Sequence, residues 1–240
     1  MKTKFLGKTN NKSKKKGKNL LDNIPRTKGD IKYGFDIWNV YDFMHLDKNM
    51  IPHLSVLEIT IPSNSDFIIE SKSMKLYLND FYNMSFNKDS LLATRIKKDL
   101  EKIIKSDIKV RFINNFDIEP SHLVINNTTL VKSKSDSLLK FNGFRSICPV
   151  TSQPDFANIY IYSDKQLSIN WLRKYLMSYQ DQGDFHEQCI EAIYKDIYNE
   201  YKCAHLEVCG RFQRRGGIDI NPIRGNKNKI LFKNFREFNQ

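Results

Sequence analysis

Apolar and polar residues alternate along D-I-W-N-V-Y-D-F-M (36–44) and again along L-S-V-L-E-I-T-I-P (54–62), where Val56 and Glu58 oppose Leu57 and Ile59. A period of two marks a strand with one buried face. The period then lengthens. A short helix is predicted over 73–82, and S-L-L-A-T-R-I-K-K-D-L-E-K-I-I (90–104) places apolar residues at 92, 96, 100, 103 and 104, the stripe of an amphipathic helix. Strands over 108–113 and 122–125 follow. From Phe144 the same order returns, with strands over 145–148 and 157–162, helices over 169–179 and 185–201, and closing strands over 205–213 and 218–222. The chain thus reads as β-β-α-α-β-β twice, an α+β order of elements. The repeat is one of pattern, since the halves share little sequence identity. The expected organisation is a basic tail over 1–30, a first unit over 31–125, a connector over 126–142 and a second unit over 143–240.

Charge alters this picture only at one end. The formal net charge is +12, but in residues 1–30 ten Lys or Arg stand against Asp22 and Asp30, which puts +8 there and leaves +4 over the other 210 residues. The folded part is mildly basic, and K-S-K-K-K-G-K (12–18) reads as a solvated, disordered tail able to touch polyanions such as RNA. A 40% hydrophobic content in 240 residues is enough for a sizeable core. No run approaches the ~18 apolar residues that cross a bilayer, and no apolar segment after the first lysines forms a signal-peptide core. A cytoplasmic protein is expected, with Cys148, Cys189, Cys203 and Cys209 as reduced thiols.

The densest candidate chemistry lies in F-R-S-I-C-P-V-T-S-Q-P-D (144–155), where Pro149 and Pro154 stiffen a segment with Cys148 and Asp155 near its ends. A cysteine beside a proton donor suits nucleophilic attack with protonation. A buried apolar thiol and a turn aspartate would leave the same residues. E-S-K-S (70–73) offers free helix N–H groups and Lys72 to a phosphate, or Ser71 and Ser73 as helix caps. Glu187 could accept the N–H edge of a heterocyclic base, or complete a capping box with Asp184. R-F-Q-R-R-G-G (211–217) fits a phosphate site or an exposed hairpin. His186, Cys189, Cys203, His205 and Cys209 match no strong zinc spacing, and no metal is expected.

Together these segments resemble a known family, the NADPH-dependent 7-cyano-7-deazaguanine reductases in their long, two-module form. The likeness rests on G-F-D-I-W, E-S-K-S-M-K-L-Y-L-N, C-P-V-T-S-Q-P-D, F-H-E-Q-C and R-R-G-G-I-D-I-N-P, and covers about residues 34–82 and 143–225. It implies the tunnelling fold, whose module has the β-β-α-α-β-β order read above, with helices on one face of an antiparallel sheet. It implies that Cys148 adds to the substrate nitrile as a covalent thioimide, that Asp155 supplies the proton, and that two NADPH deliver two hydrides. It further implies that Ile69, Glu70, Ser71, His186 and Glu187 hold the deazaguanine, that Ser71, Lys72, Arg215 and Gly216 hold NADPH, and that the enzyme is a homodimer in queuosine biosynthesis with no direct need of nucleic acid. The rivals are a purine or pterin enzyme of the same fold such as a cyclohydrolase, a cysteine-dependent nitrile hydrolase, and an RNA-binding module driven by the tail.

Overall fold

The computed structural model describes residues 16–26 and 31–240. A 3-10 turn at Gly17–Leu20 leads into β1 (Asn23–Pro25), and the long strands β2 (Tyr33–Leu46) and β3 (Pro52–Pro62) form a hairpin. After β4 (Phe67–Ile69) come α1 (Ser71–Asn79), α2 (Asp89–Ile104), β5 (Lys109–Ile113) and β6 (Leu123–Val124). The second half runs β7 (Ser137–Ile147), β8 (Pro154–Ser163), α3 (Ile169–Met177), α4 (His186–Tyr201), β9 (Leu206–Phe212) and β10 (Ile218–Gly225). The predicted helices arise from their stripes: Leu92, Ile96, Leu100 and Ile104 of α2 are buried at spacings of four. Among the described residues no helix is long and apolar enough to cross a membrane.

The α+β class and helix layer are as expected, and eight strands join in one sheet, ordered β5-β3-β2-β10-β9-β8-β7-β6. The seam between halves is the antiparallel pairing of β10 with β2, in register from Ile218 opposite Val40 to Gly225 opposite Tyr33. One strand departs from its expected unit. The 122–125 segment does not close the first unit but crosses the molecule, where β6 pairs parallel with β7 (Leu123 opposite Leu139) and Ile125 enters the second core. Alternation predicts a strand but not its partner. The expected connector also contains structure, because β7 begins at Ser137 and buries Leu139 and Phe141.

Alternate residues of each strand face two different layers. Trp38, Ile59, Ile218 and α1–α2 form one core, and Ile159, Val208 and α3–α4 form another on the same side of the sheet. On the opposite side Ile37, Tyr160, Cys209 and Ile223 are covered by Phe232 and Phe235 of the C-terminal segment. Of the expected tail, residues 1–15 and 27–30 lie outside the described residues. The rest is built into the fold: Leu20 and Leu21 pack on the first core and β1 pairs antiparallel with β4. A charge count over thirty residues hides two leucines that bury apolar surface.

Candidate active site

The β7–β8 hairpin closes the sequence distance between Cys148 and Asp155. Cys148 follows the last residue of β7, and its turn is fixed by Cys148 N–H donating to the Gln153 carbonyl (2.9 Å) and Ser152 N–H to the Cys148 carbonyl (2.9 Å). Burial alone would push this thiol up. The Thr151 hydroxyl and the Thr151 and Val150 N–H groups stabilise its thiolate, and the net direction is down despite the repulsion of Asp155. Cys189, Cys203 and Cys209 are buried and their thiols are pushed up, chiefly by desolvation. The four cysteines therefore differ in kind.

Asp155 sits on β8 opposite Ser146 and is buried. Its Oδ1 accepts from Arg215 Nη1 at 2.5 Å, and its Oδ2 lies 3.3 Å from His186 Nε2. Burial pushes its pKa up, but His186 and Arg215 more than offset this and hold it below the usual carboxylate range. His186 opens α4, and its ring stacks on Phe212 with centroids 3.9 Å apart and planes 9° from parallel. Its Nδ1 is buried without a protein partner.

Glu187 is not a cap. The residue flanking α4 is Phe185, and the reciprocal side chain is Gln188, whose Oε1 accepts from Phe185 N–H at 3.2 Å. Glu187, 4% exposed, is thereby free to face the cavity, and burial followed by the charge of Asp36 pushes its pKa up. In E-S-K-S the cap is Glu70, not a serine: its carboxylate accepts from Lys72 N–H and Ser73 N–H, both at 2.7 Å. That leaves the Ser71 hydroxyl and the Lys72 ammonium to other work.

Nine of the ten residues singled out from the sequence line one cavity of about 370 Å³: Ile69, Glu70, Ser71 and Lys72 from the first half, and Cys148, Asp155, His186, Glu187 and Arg215 from the second. Gly216 lines an adjoining cavity of about 420 Å³ that shares Lys72, Lys75 and Ile218 with the first. Gly216 and Gly217 make the turn after Arg215 with φ of 59° and 77°, and a Cβ on Gly217 would stand 2.1 Å from the Asp42 carboxylate. Only glycine fits that approach. Lys75, between the two cavities, escaped the sequence reading. It lies three residues after Lys72, and because α1 begins at Ser71, before the predicted start at 73, the two lysines share a helix face. Among the described residues no cluster of three or more His, Cys, Asp or Glu is placed to hold a metal ion.

The arrangement offers an acidified thiol, a carboxylate between a guanidinium and an imidazole, a buried glutamate beside that imidazole, and a second chamber lined by Lys72 and Lys75. Residues 14–112 match the family model described as nitrile reductase, 7-cyano-7-deazaguanine-reductase N-term, and residues 154–230 match that of QueF-like protein. The chain is 38% identical over 221 residues to the NADPH-dependent 7-cyano-7-deazaguanine reductase of Buchnera aphidicola subsp. Schizaphis graminum, spanning 81% of this chain and 83% of that one. Proteins of the same name from Desulfotalea psychrophila and Coxiella burnetii are 34% and 33% identical over 233 residues, spanning 88% and 87% of this chain and 82% of each of theirs.

Proposed function

The chain belongs to the family of NADPH-dependent 7-cyano-7-deazaguanine reductases, and from that premise we propose how its cavity works: Cys148 attacks the nitrile carbon and Asp155 delivers a proton to the nitrile nitrogen. The reaction is the four-electron reduction of the nitrile to an aminomethyl group in queuosine biosynthesis. The observation that carries the residue assignment is the meeting of an acidified cysteine, an aspartate and a buried glutamate with E-S-K-S in one cavity.

In the first step the sulfur–carbon bond forms, one C≡N π bond breaks, and the nitrogen takes a proton, giving a thioimide. NADPH, held by Ser71, Lys72, Arg215 and Gly216, would supply two hydrides, one per molecule, which with one proton at each stage would take the former nitrile carbon to the aminomethyl level once the Cys148 sulfur has left as the thiol. Asp155 is ionised while Arg215 and His186 face it. It gains donor character when Arg215 turns toward the phosphates of the reductant, because loss of that guanidinium raises its pKa.

Glu187 accepts from the guanine-like N–H edge, with His186 beside it, and Ile69, Glu70 and Ser71 close the other side. Ser71, Lys72, Arg215 and Gly216 hold NADPH, with Lys75 added to them. The chamber suits an anion: burial, and then the charge of Arg215, push the Lys75 ammonium down, and a phosphate between the two cations relieves that repulsion. The work is divided, with the first half of the chain presenting E-S-K-S and the second half the reacting groups.

Purified protein given 7-cyano-7-deazaguanine should oxidise two NADPH per nitrile, read as loss of nicotinamide absorbance. Nitrile loss without NADPH oxidation would reveal the hydrolase instead, and no turnover by folded protein would sink the reading. We further propose a homodimer in the cytoplasm, supported by the free outer edge of β5 and by four free thiols.

A further inference from the structure

The segment that charge marks as a tail runs along the strand that leads into E-S-K-S. β1 pairs with β4 residue by residue, Asn23 opposite Ile69 and Pro25 opposite Phe67. Glu70 N–H donates to the Asp22 carbonyl (3.0 Å), Asp22 N–H donates to Ser73 Oγ (3.0 Å), and Arg26 N–H donates to the Asp66 carbonyl (3.0 Å). The side chain of Arg26 then leaves this unit. Its Nη1 donates to Glu191 of α4 at 2.9 Å and its Nη2 to Asp36 of β2 at 2.6 Å. Arg224 of β10 grips the same two carboxylates at 2.8 and 2.7 Å. Glu191 lies one helical turn beyond Glu187, on the same face of α4.

We propose that Arg26 is a positioning residue for Glu187: it ties the first turns of α4 to the strand carrying E-S-K-S and supplies positive charge behind the carboxylate that reads the base. This rests on the assignment of Glu187 to the guanine-like edge. The charged or titratable groups facing Glu187 are Arg26, Asp36 of β2, and His186 and Cys189 of its own helix, with Glu191 and Arg224 bound to the first two. Three carboxylates (Asp36, Glu187 and Glu191) thus share two guanidiniums. Without Arg26 they share one, and Arg224 still holds Asp36 and Glu191. Glu187, with no ion-pair contact of its own to either guanidinium, is then the carboxylate that takes up a proton, and a protonated Glu187 accepts one hydrogen bond fewer from the base. The direction of influence agrees, since Asp36 pushes Glu187 up and Arg26 pulls it down.

The test compares Arg26→Gln, Arg26→Lys and Glu187→Gln, each read as KM and kcat from pH 6 to 9 and as substrate affinity in a Cys148→Ala background. Arg26→Gln should raise the substrate KM most at the low-pH end of the range, with about tenfold as the limit for a rise of one unit in the pKa of Glu187, and the deficit should shrink as pH rises. The KM for NADPH should stay within about twofold, and Arg26→Lys should keep the wild-type profile. A loss in Arg26→Gln that is equal at every pH, or no loss, overturns the inference. If Arg26→Gln does not fold, Glu191→Gln decides: by freeing the Arg26 guanidinium from Glu191 it should lower the substrate KM at pH 6 and leave it unchanged at pH 9, and an unshifted profile overturns the inference. Glu187→Gln separates the premises. Lost binding there with a normal Arg26→Gln removes only the role of Arg26, whereas normal binding in Glu187→Gln removes the base-reading assignment and this inference with it.

Discussion

At the scale of single residues, the chemistry of Cys148 depends on three donors from Val150 and Thr151. The Val150 and Thr151 N–H groups and the Thr151 hydroxyl stabilise a thiolate against burial and against Asp155. Adduct formation followed by intact mass should therefore rise with pH along a limb centred below the ordinary thiol value of about 8.5, and Cys148→Ala should show no added mass. Asp155 must be protonated to donate, and Arg215→Gln, by removing a cation from it, should raise its pKa and move the low-pH limb of turnover upward; an unmoved limb would refute the coupling. Residue types announced this chemistry, but spacing misled about caps. Asp184 and Glu187 have capping-box spacing, yet Gln188 takes the reciprocal position because the helix begins one residue later than that box requires.

At the scale of elements, periodicity located the helices well because a stripe such as Leu92, Ile96, Leu100 and Ile104 is local information. Short elements escaped it. β1 and β4 are three residues each, too short to show a period, and they exist because each supplies the other's backbone partners. The C-terminal segment has no period either, yet it seals one face of the sheet. Asn234 donates to Glu58 (2.7 Å) and Asn39 (2.8 Å), Gln240 donates to the Phe212 carbonyl (3.0 Å) and Asn221 (2.9 Å), and Arg211 donates to the Phe235 carbonyl. Removing residues 230–240 uncovers Phe232 and Phe235 and strips these partners. The expected cost is about 3–6 kcal/mol from the two aromatic side chains alone, seen as a melting temperature lowered by about 10 °C or more. An unchanged melting curve would show that the segment is not part of the stabilising core.

At the scale of the molecule, the two units share a sheet that ends in β5 on one side and β6 on the other. Among the described residues no strand lies beside the outer edge of β5, which presents backbone donors and acceptors, and Ile118, five residues after β5, is 94% exposed. Two copies pairing there would satisfy both, so sedimentation should return twice the chain mass of 28.3 kDa, and a stable monomer at micromolar concentration would refute the homodimer. The sequence alone determined the α+β class and most helices and strands, because periodicity is written locally, and its motifs named nine residues that meet in the cavity. Tertiary structure decided what depends on distant partners: that β6 crosses to β7, that β10 seals to β2, and that residues 22–26 pair with the strand leading into E-S-K-S. Strand pairing and ion pairing are made between residues far apart in the chain, Arg26 with Glu191 among them, and no window of sequence contains both members.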